Sequence, residues 1–235
     1  MKTILRSSPE GTFFRDAVRD LVVVVVGILA ALWLEAWWQD LGDRREERQI
    51  LEDLREEFAA NAEELTDRLQ TWQNVRQNKI DAHQLMGGPI NDETMSALEE
   101  VLDRGGAAGR FFFDPRHGQL TSVINSGKLG LISKPELRAM IADWPAAVAD
   151  HDFDEELFIS HERANIWPME RQYVAYWPET NFRSRYGDLM QSFEYDNSLR
   201  GSAGLLVLMI NEGNEILELT NDIIALIDSE LEALR

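Results

Sequence analysis

The apolar positions of this chain fall into three patterns: one unbroken block, several stripes of helical spacing, and short runs between turn residues. The block occupies residues 21–38, L-V-V-V-V-V-G-I-L-A-A-L-W-L-E-A-W-W, and carries no charge before Glu35. As an α-helix it extends about 27 Å, close to the ~30 Å of bilayer hydrocarbon, which predicts one transmembrane helix after an N-terminal tail of residues 1–20. Trp33, Trp37 and Trp38 gather at its end, where indoles favour the membrane interface, and Arg15 and Arg19 precede it. A cleaved signal peptide is the competing reading, but Leu34-Glu35-Ala36-Trp37-Trp38 is a poor cleavage site. Gly27 and Ala31 stand four apart, a small-residue pair that lets two helix backbones approach. Glu35 sits one turn from the helix end, within reach of the headgroup region.

Helical spacing then takes over. Leu51, Leu54, Phe58, Leu65, Trp72 and Val75 alternate by threes and fours, with polar Asn61 and Arg68 at the remaining positions of the stripe. No Gly or Pro interrupts residues 43–86, so the membrane helix is expected to continue as a stalk over 39–86, with at most a bend near Leu41-Gly42. Leu69 and Ile80 widen the stripe beyond a coiled-coil seam and favour packing in a multi-helix bundle. Gly87-Gly88-Pro89 ends this helix, and Asn91 caps a short one over 92–103. A glycine-rich break at 105–109 leads to Phe111-Phe112-Phe113, which needs a pocket, and to the turn Asp114-Pro115. After turns at Gly127 and Gly130, Pro135 opens a helix with Leu137, Met140, Ile141 and Trp144 on one face. Pro145 is expected to restart the chain, and 148–176 reads as one or two helices interrupted near Trp167-Pro168. Residues 202–234 form a long amphipathic helix. Strand-like alternation is scarce, so the fold expected is all-α: a transmembrane helix continuing into a stalk that packs with the C-terminal helix, the domain comprising residues 87–235.

The anchor followed by R-R-E-E-R-Q-I-L-E-D-L-R-E-E-F resembles a group of uncharacterised bacterial single-pass membrane proteins. Phe113-Asp114-Pro115, then S-G-K-L-G-L-I-S from Ser126, then Glu136-Leu137-Arg138 and Trp144 are similar to the same group. The resemblance implies a membrane-anchored helical protein and lends no activity or catalytic residue. The chain departs from the group's pattern at Trp33, Glu35, Trp37 and Trp38, where polar Gln and Asn are expected.

Charge and chemistry narrow the function. A net charge of −19 argues against a nucleic-acid partner, and the absence of Cys removes disulfides, thiolate metal sites and thiol nucleophiles. Cations tie on the two sides of the anchor. A short tail with four of them is awkward to translocate, so the N-terminus is expected in the cytoplasm and the domain in the periplasm, across the bacterial inner membrane. His151, Glu155 and His161 lie in the acidic run H-D-F-D-E-E-L-F-I-S-H-E and are weak metal candidates; a solvated acidic surface is the plainer reading, and no metal or other cofactor is expected. Arg116, His117, Asn125, Ser126 and Lys128 are a possible ligand loop whose amides could cradle an anion. Tyr173, Tyr176, Trp177, Arg183 and Arg185 are a possible aromatic groove. No catalytic motif is present, so binding is expected over catalysis: self-association or docking to another envelope component, with a small-ligand sensor as the alternative and a membrane-tethered metalloenzyme as a third reading.

Overall fold

The computed structural model describes residues 10–106, 111–176 and 180–234, and the chain divides into two compact units, residues 1–49 and 50–235. The described residues contain no strand, and the fold is all-helical. Helix α1 (Glu10–Leu85) begins in the first unit. There the apolar block is exposed along its whole length, and its most apolar 18-residue window has a mean hydropathy of 2.2 with none of it buried. By length and composition this is one helix able to cross a membrane. Most of the tail and part of the glycine-rich break, residues 1–9 and 107–109, lie outside the described residues.

In the second unit the predicted stripe of α1 is the spine of the core: Leu51, Leu54, Phe58, Leu65 and Trp72 are all within 1% of full burial. Gly87 takes a left-handed φ of 67°, which ends α1, and donates its N–H to Met190 O at 2.8 Å. Asn91 caps α2 (Asp92–Gly106), its Oδ1 accepting from Thr94 N at 2.9 Å. Next come α3 (Gly118–Asn125), a left-handed Gly127 (φ 73°), a 3-10 turn (Lys128–Leu131) and α4 (Pro135–His161). A π turn (Glu162–Ile166) joins α4 to α5 (Trp167–Tyr173), with α6 (Tyr186–Met190) and α7 (Phe193–Ala233) completing the chain.

Two expectations are corrected. Pro145 does not restart the chain, because α4 runs through it. An interior proline costs a helix about 3 kcal/mol or more, and here Ile141, Trp144 and Val148 are buried on both sides of it, Trp144 edge-on to Phe58 at 5.4 Å. The C-terminal helix starts nine residues before Ser202, at Phe193, because Ser192 Oγ caps it by accepting from Tyr195 N at 3.2 Å.

The core has two clusters. The larger joins α1 to α4, α7 and the 111–132 segment through Trp72, Phe113, Trp144, Phe158 and Ile223. α7 comes so close to α1 that a Cβ on Gly213 would sit 2.8 Å from the Trp72 ring. The smaller cluster joins the end of α1 to α2, α6 and the start of α7 through Ala82, Leu98, Ile166, Leu189, Tyr195 and Leu199.

Candidate functional site

Where the two clusters meet, the bundle does not close. A cavity of about 260 Å³ opens between α1, α2, the end of α4 and α7, taking Val75 and Phe158 from the larger cluster and Ala82, Val101 and Leu199 from the smaller. Its floor is buried and its mouth is aromatic, with Trp167 and Tyr176 38% and 56% exposed.

Two polar sets interrupt the apolar lining. In the first, Lys79 Nζ lies 2.8 Å from Glu162 Oε2, and Ser202 Oγ donates to Glu162 Oε1. Lys79 occupies the stripe register of α1, four residues after Val75, and its charge is matched in place by a buried carboxylate. In the second, Glu170 accepts two phenolic hydrogens, from buried Tyr195 at 2.8 Å and from Tyr176 at 2.9 Å. Burial, reinforced by that carboxylate, pushes both tyrosines well above their ordinary ionisation range, so both stay protonated donors. Among the described residues no ammonium or guanidinium pairs with Glu170.

The π turn sets this geometry. On a regular α-helix Glu162 and Glu170, eight residues apart, would point about 80° away from each other. The wider turn absorbs about one residue and brings both carboxylates to the same cavity.

The sequence-predicted candidates are distributed differently. Arg116 and His117 lie in a loop whose amides are already taken: Asn61 Oδ1 accepts from Arg116 N at 2.8 Å, and the buried Glu57 carboxylate accepts from Gln119 N and Leu120 N at 2.8 and 2.9 Å. A carboxylate from α1 thus holds the first turn of α3. Asn125, Ser126 and Lys128 follow on exposed positions around the left-handed Gly127. Tyr173, Tyr176, Arg183 and Arg185 do line one depression, of about 360 Å³. Arg185 stacks on Tyr173 at 4.8 Å and is 3.3 Å from Asp188. Trp177 lies outside the described residues. Gly27, Ala31, Trp33, Glu35, Trp37 and Trp38 are all exposed in the first unit, Trp37 and Trp38 meeting edge to face at 5.9 Å.

His151 and His161 are not brought to one site. His161 Nε2 is 2.9 Å from Ser198 O, whereas His151 is fully buried against the Trp72 ring at 4.8 Å. Glu155 Oε1 lies 3.3 Å from His151 Nε2 while accepting from Phe113 N at 2.9 Å. Glu212 Oε2 lies 3.8 Å from His151 Nδ1. His151 and Glu155 therefore belong to the core and not to a solvated surface; apolar Val148 and Phe158 on the same face carry them inward. Among the described residues no group of three or more such side chains is arranged to hold a metal ion.

Lys79, Glu170 and Tyr195 were not singled out from the sequence, and Glu162 only as the last residue of the acidic run H-D-F-D-E-E-L-F-I-S-H-E. The available signal was charge in an apolar register: Lys79 between Val75 and Ala82, Glu162 between Phe158 and Ile166. Comparison with known proteins adds no assignment, since no family model, no curated protein and no solved structure matches the chain.

Proposed function

We propose that the chain is a single-pass, membrane-tethered helical binding protein. One observation carries this reading: the apolar block at 21–38 is wholly unburied, and a helix serving a soluble core would hide that surface. The tryptophans at its end fit an interfacial belt, and the four cations of the tail favour a cytoplasmic N-terminus with the acidic domain on the far side of an inner membrane. Gly27 and Ala31 support self-association through the tether. Carbonate extraction of membranes tests the tether: retention supports it, and release of the intact chain overturns it. Alkaline phosphatase fused after Arg235 tests the topology, activity supporting a periplasmic domain and inactivity overturning it. Crosslinking within the membrane tests the pairing. Crosslinked dimers that disappear with Gly27→Leu support it, and a monomer at all crosslinker doses overturns it.

A small-ligand sensor is the second reading, favoured by the cavity between the two core clusters. Its two carboxylates are each held in place by two hydrogen-bond donors, an arrangement suited to recognition.

A further inference from the structure

The cavity has a chemistry of its own. Its charged lining is one ammonium, Lys79, against two carboxylates, Glu162 and Glu170, so one negative charge is in excess. Lys79 and Glu162 neutralise each other on the buried side. The excess therefore rests on Glu170, which is half-buried near the aromatic mouth and ion-paired with none of the described residues. Its two hydroxyl donors fix the orientation of the carboxylate and leave further lone pairs unoccupied, since two oxygens offer about four acceptor sites. Both donors hold their protons through neutral pH. Trp167 and Tyr176 stand beside it, and aromatic faces attract cations within about 6 Å; the Arg163 guanidinium already lies 6.0 Å from the Trp167 ring centroid, and Arg171 borders the outer side of the mouth. Apart from Asn78 the rest of the lining is aliphatic or aromatic, and the chain's net charge of −19 draws cations from solution.

We propose that this cavity binds a small organic cation: an ammonium head held at Glu170 between Trp167 and Tyr176, with an apolar body on the floor formed by Val75, Val101 and Leu199. At about 30 Å³ for each water-sized group, the volume suits a ligand of roughly nine non-hydrogen atoms. A carboxylate ligand is disfavoured, because Lys79 is already bound and Glu170 would repel it. The site rests on reading the helical domain as a binding module and is independent of the tether.

Three chain-matched probes test it by calorimetry on the full chain in zwitterionic nanodiscs at neutral pH: octylammonium, octanol and octanoate, each corrected with empty nanodiscs. The expected result is saturable binding of one octylammonium per chain, at least tenfold tighter than either competitor. Glu170→Gln, which removes the charge and keeps an acceptor oxygen for one tyrosine while its amide N–H can donate to the hydroxyl oxygen of the other, is expected to erase that preference, and Glu212→Gln, on a carboxylate outside the cavity lining, to leave it intact. Leu102→Trp fills the cavity without altering a charge and is expected to abolish binding; it provides the test if Glu170→Gln fails to fold by circular dichroism. Equal binding of the three probes, preference for octanol or octanoate, a preference for octylammonium that survives in folded Glu170→Gln, or octylammonium binding that survives in folded Leu102→Trp overturns the site. Carbonate extraction reads the tether separately, so a chain that stays in the membrane and binds no cation loses only this proposal.

Discussion

The two core clusters of the helical domain solve the same packing problem in opposite ways. The larger is filled with aromatic and aliphatic side chains, both of its buried indoles partnered: Trp72 Nε1 donates to Phe111 O at 2.9 Å, and Trp144 Nε1 donates to Thr220 Oγ1 at 2.9 Å, with buried His151 and Glu155 packed at its edge. The smaller borders open volume and leaves charge beside it, in the Lys79–Glu162 pair and in Glu170. A filled core tolerates little change in shape. A core beside a cavity tolerates shape changes and answers to changes in charge.

The contrast breaks most visibly at Trp72. Trp72→Ala removes a fully buried indole and its hydrogen bond, and should lower unfolding free energy by about 4 kcal/mol in denaturant titrations. Lys79→Met should cost about 3 kcal/mol by stranding buried Glu162, whereas the double replacement Lys79→Met, Glu162→Met should return to within about 1 kcal/mol of the parent. Recovery by a second substitution is the signature of the charged cluster; a double variant as unstable as Lys79→Met would refute it. Gly213→Ala drives a methyl into the Trp72 ring and should cost about 2 kcal/mol, read in the same titrations.

The smallest effect is one of pH. The folded chain holds the Tyr195 proton well above the ordinary value of 10.0, near which an unfolded chain releases it. Its contribution is therefore complete below pH 10 and is lost as pH rises towards the raised folded value. Tyr195→Phe should flatten the fall of stability above pH 10, while losing about 1 kcal/mol at neutral pH with the hydrogen bond to Glu170. Denaturant titrations from pH 8 to 11 check both.

The larger cluster was legible in the sequence because its residues obey a simple period: the spacing from Leu51 to Val75 marks the buried face of α1 correctly, and the turn glycines at 87 and 127 fall where the chain takes left-handed backbone. Asn61, conspicuous as a polar residue in that stripe, is buried because it clasps the backbone of Arg116 through both of its amide atoms. The cavity was less legible. Glu170 is polar in an ordinary surface-like run, and its partners Tyr176 and Tyr195 are 6 and 25 residues away, the latter on another helix. Only tertiary structure joins them. The helix through Pro145 was hidden for a related reason: local propensity registers the missing N–H, and burial of Trp144 is a tertiary quantity.

The π turn at Glu162–Ile166 gives the site an unusual tolerance of one change in chain length. Deleting one of residues 163–165 would restore a regular α-helix without removing any cavity side chain. Because the turn already absorbs about one residue, the shortened regular helix would still hold Glu162 and Glu170 within about 20° of each other and keep Glu170 beside Tyr195, whereas the same deletion between Trp167 and Met169 would rotate Glu170 by about 100°. A single-residue gap at this turn is therefore the one length change between Glu162 and Glu170 that the acidic pocket accommodates, and the natural length variation to look for is there rather than in the regular helix beyond it.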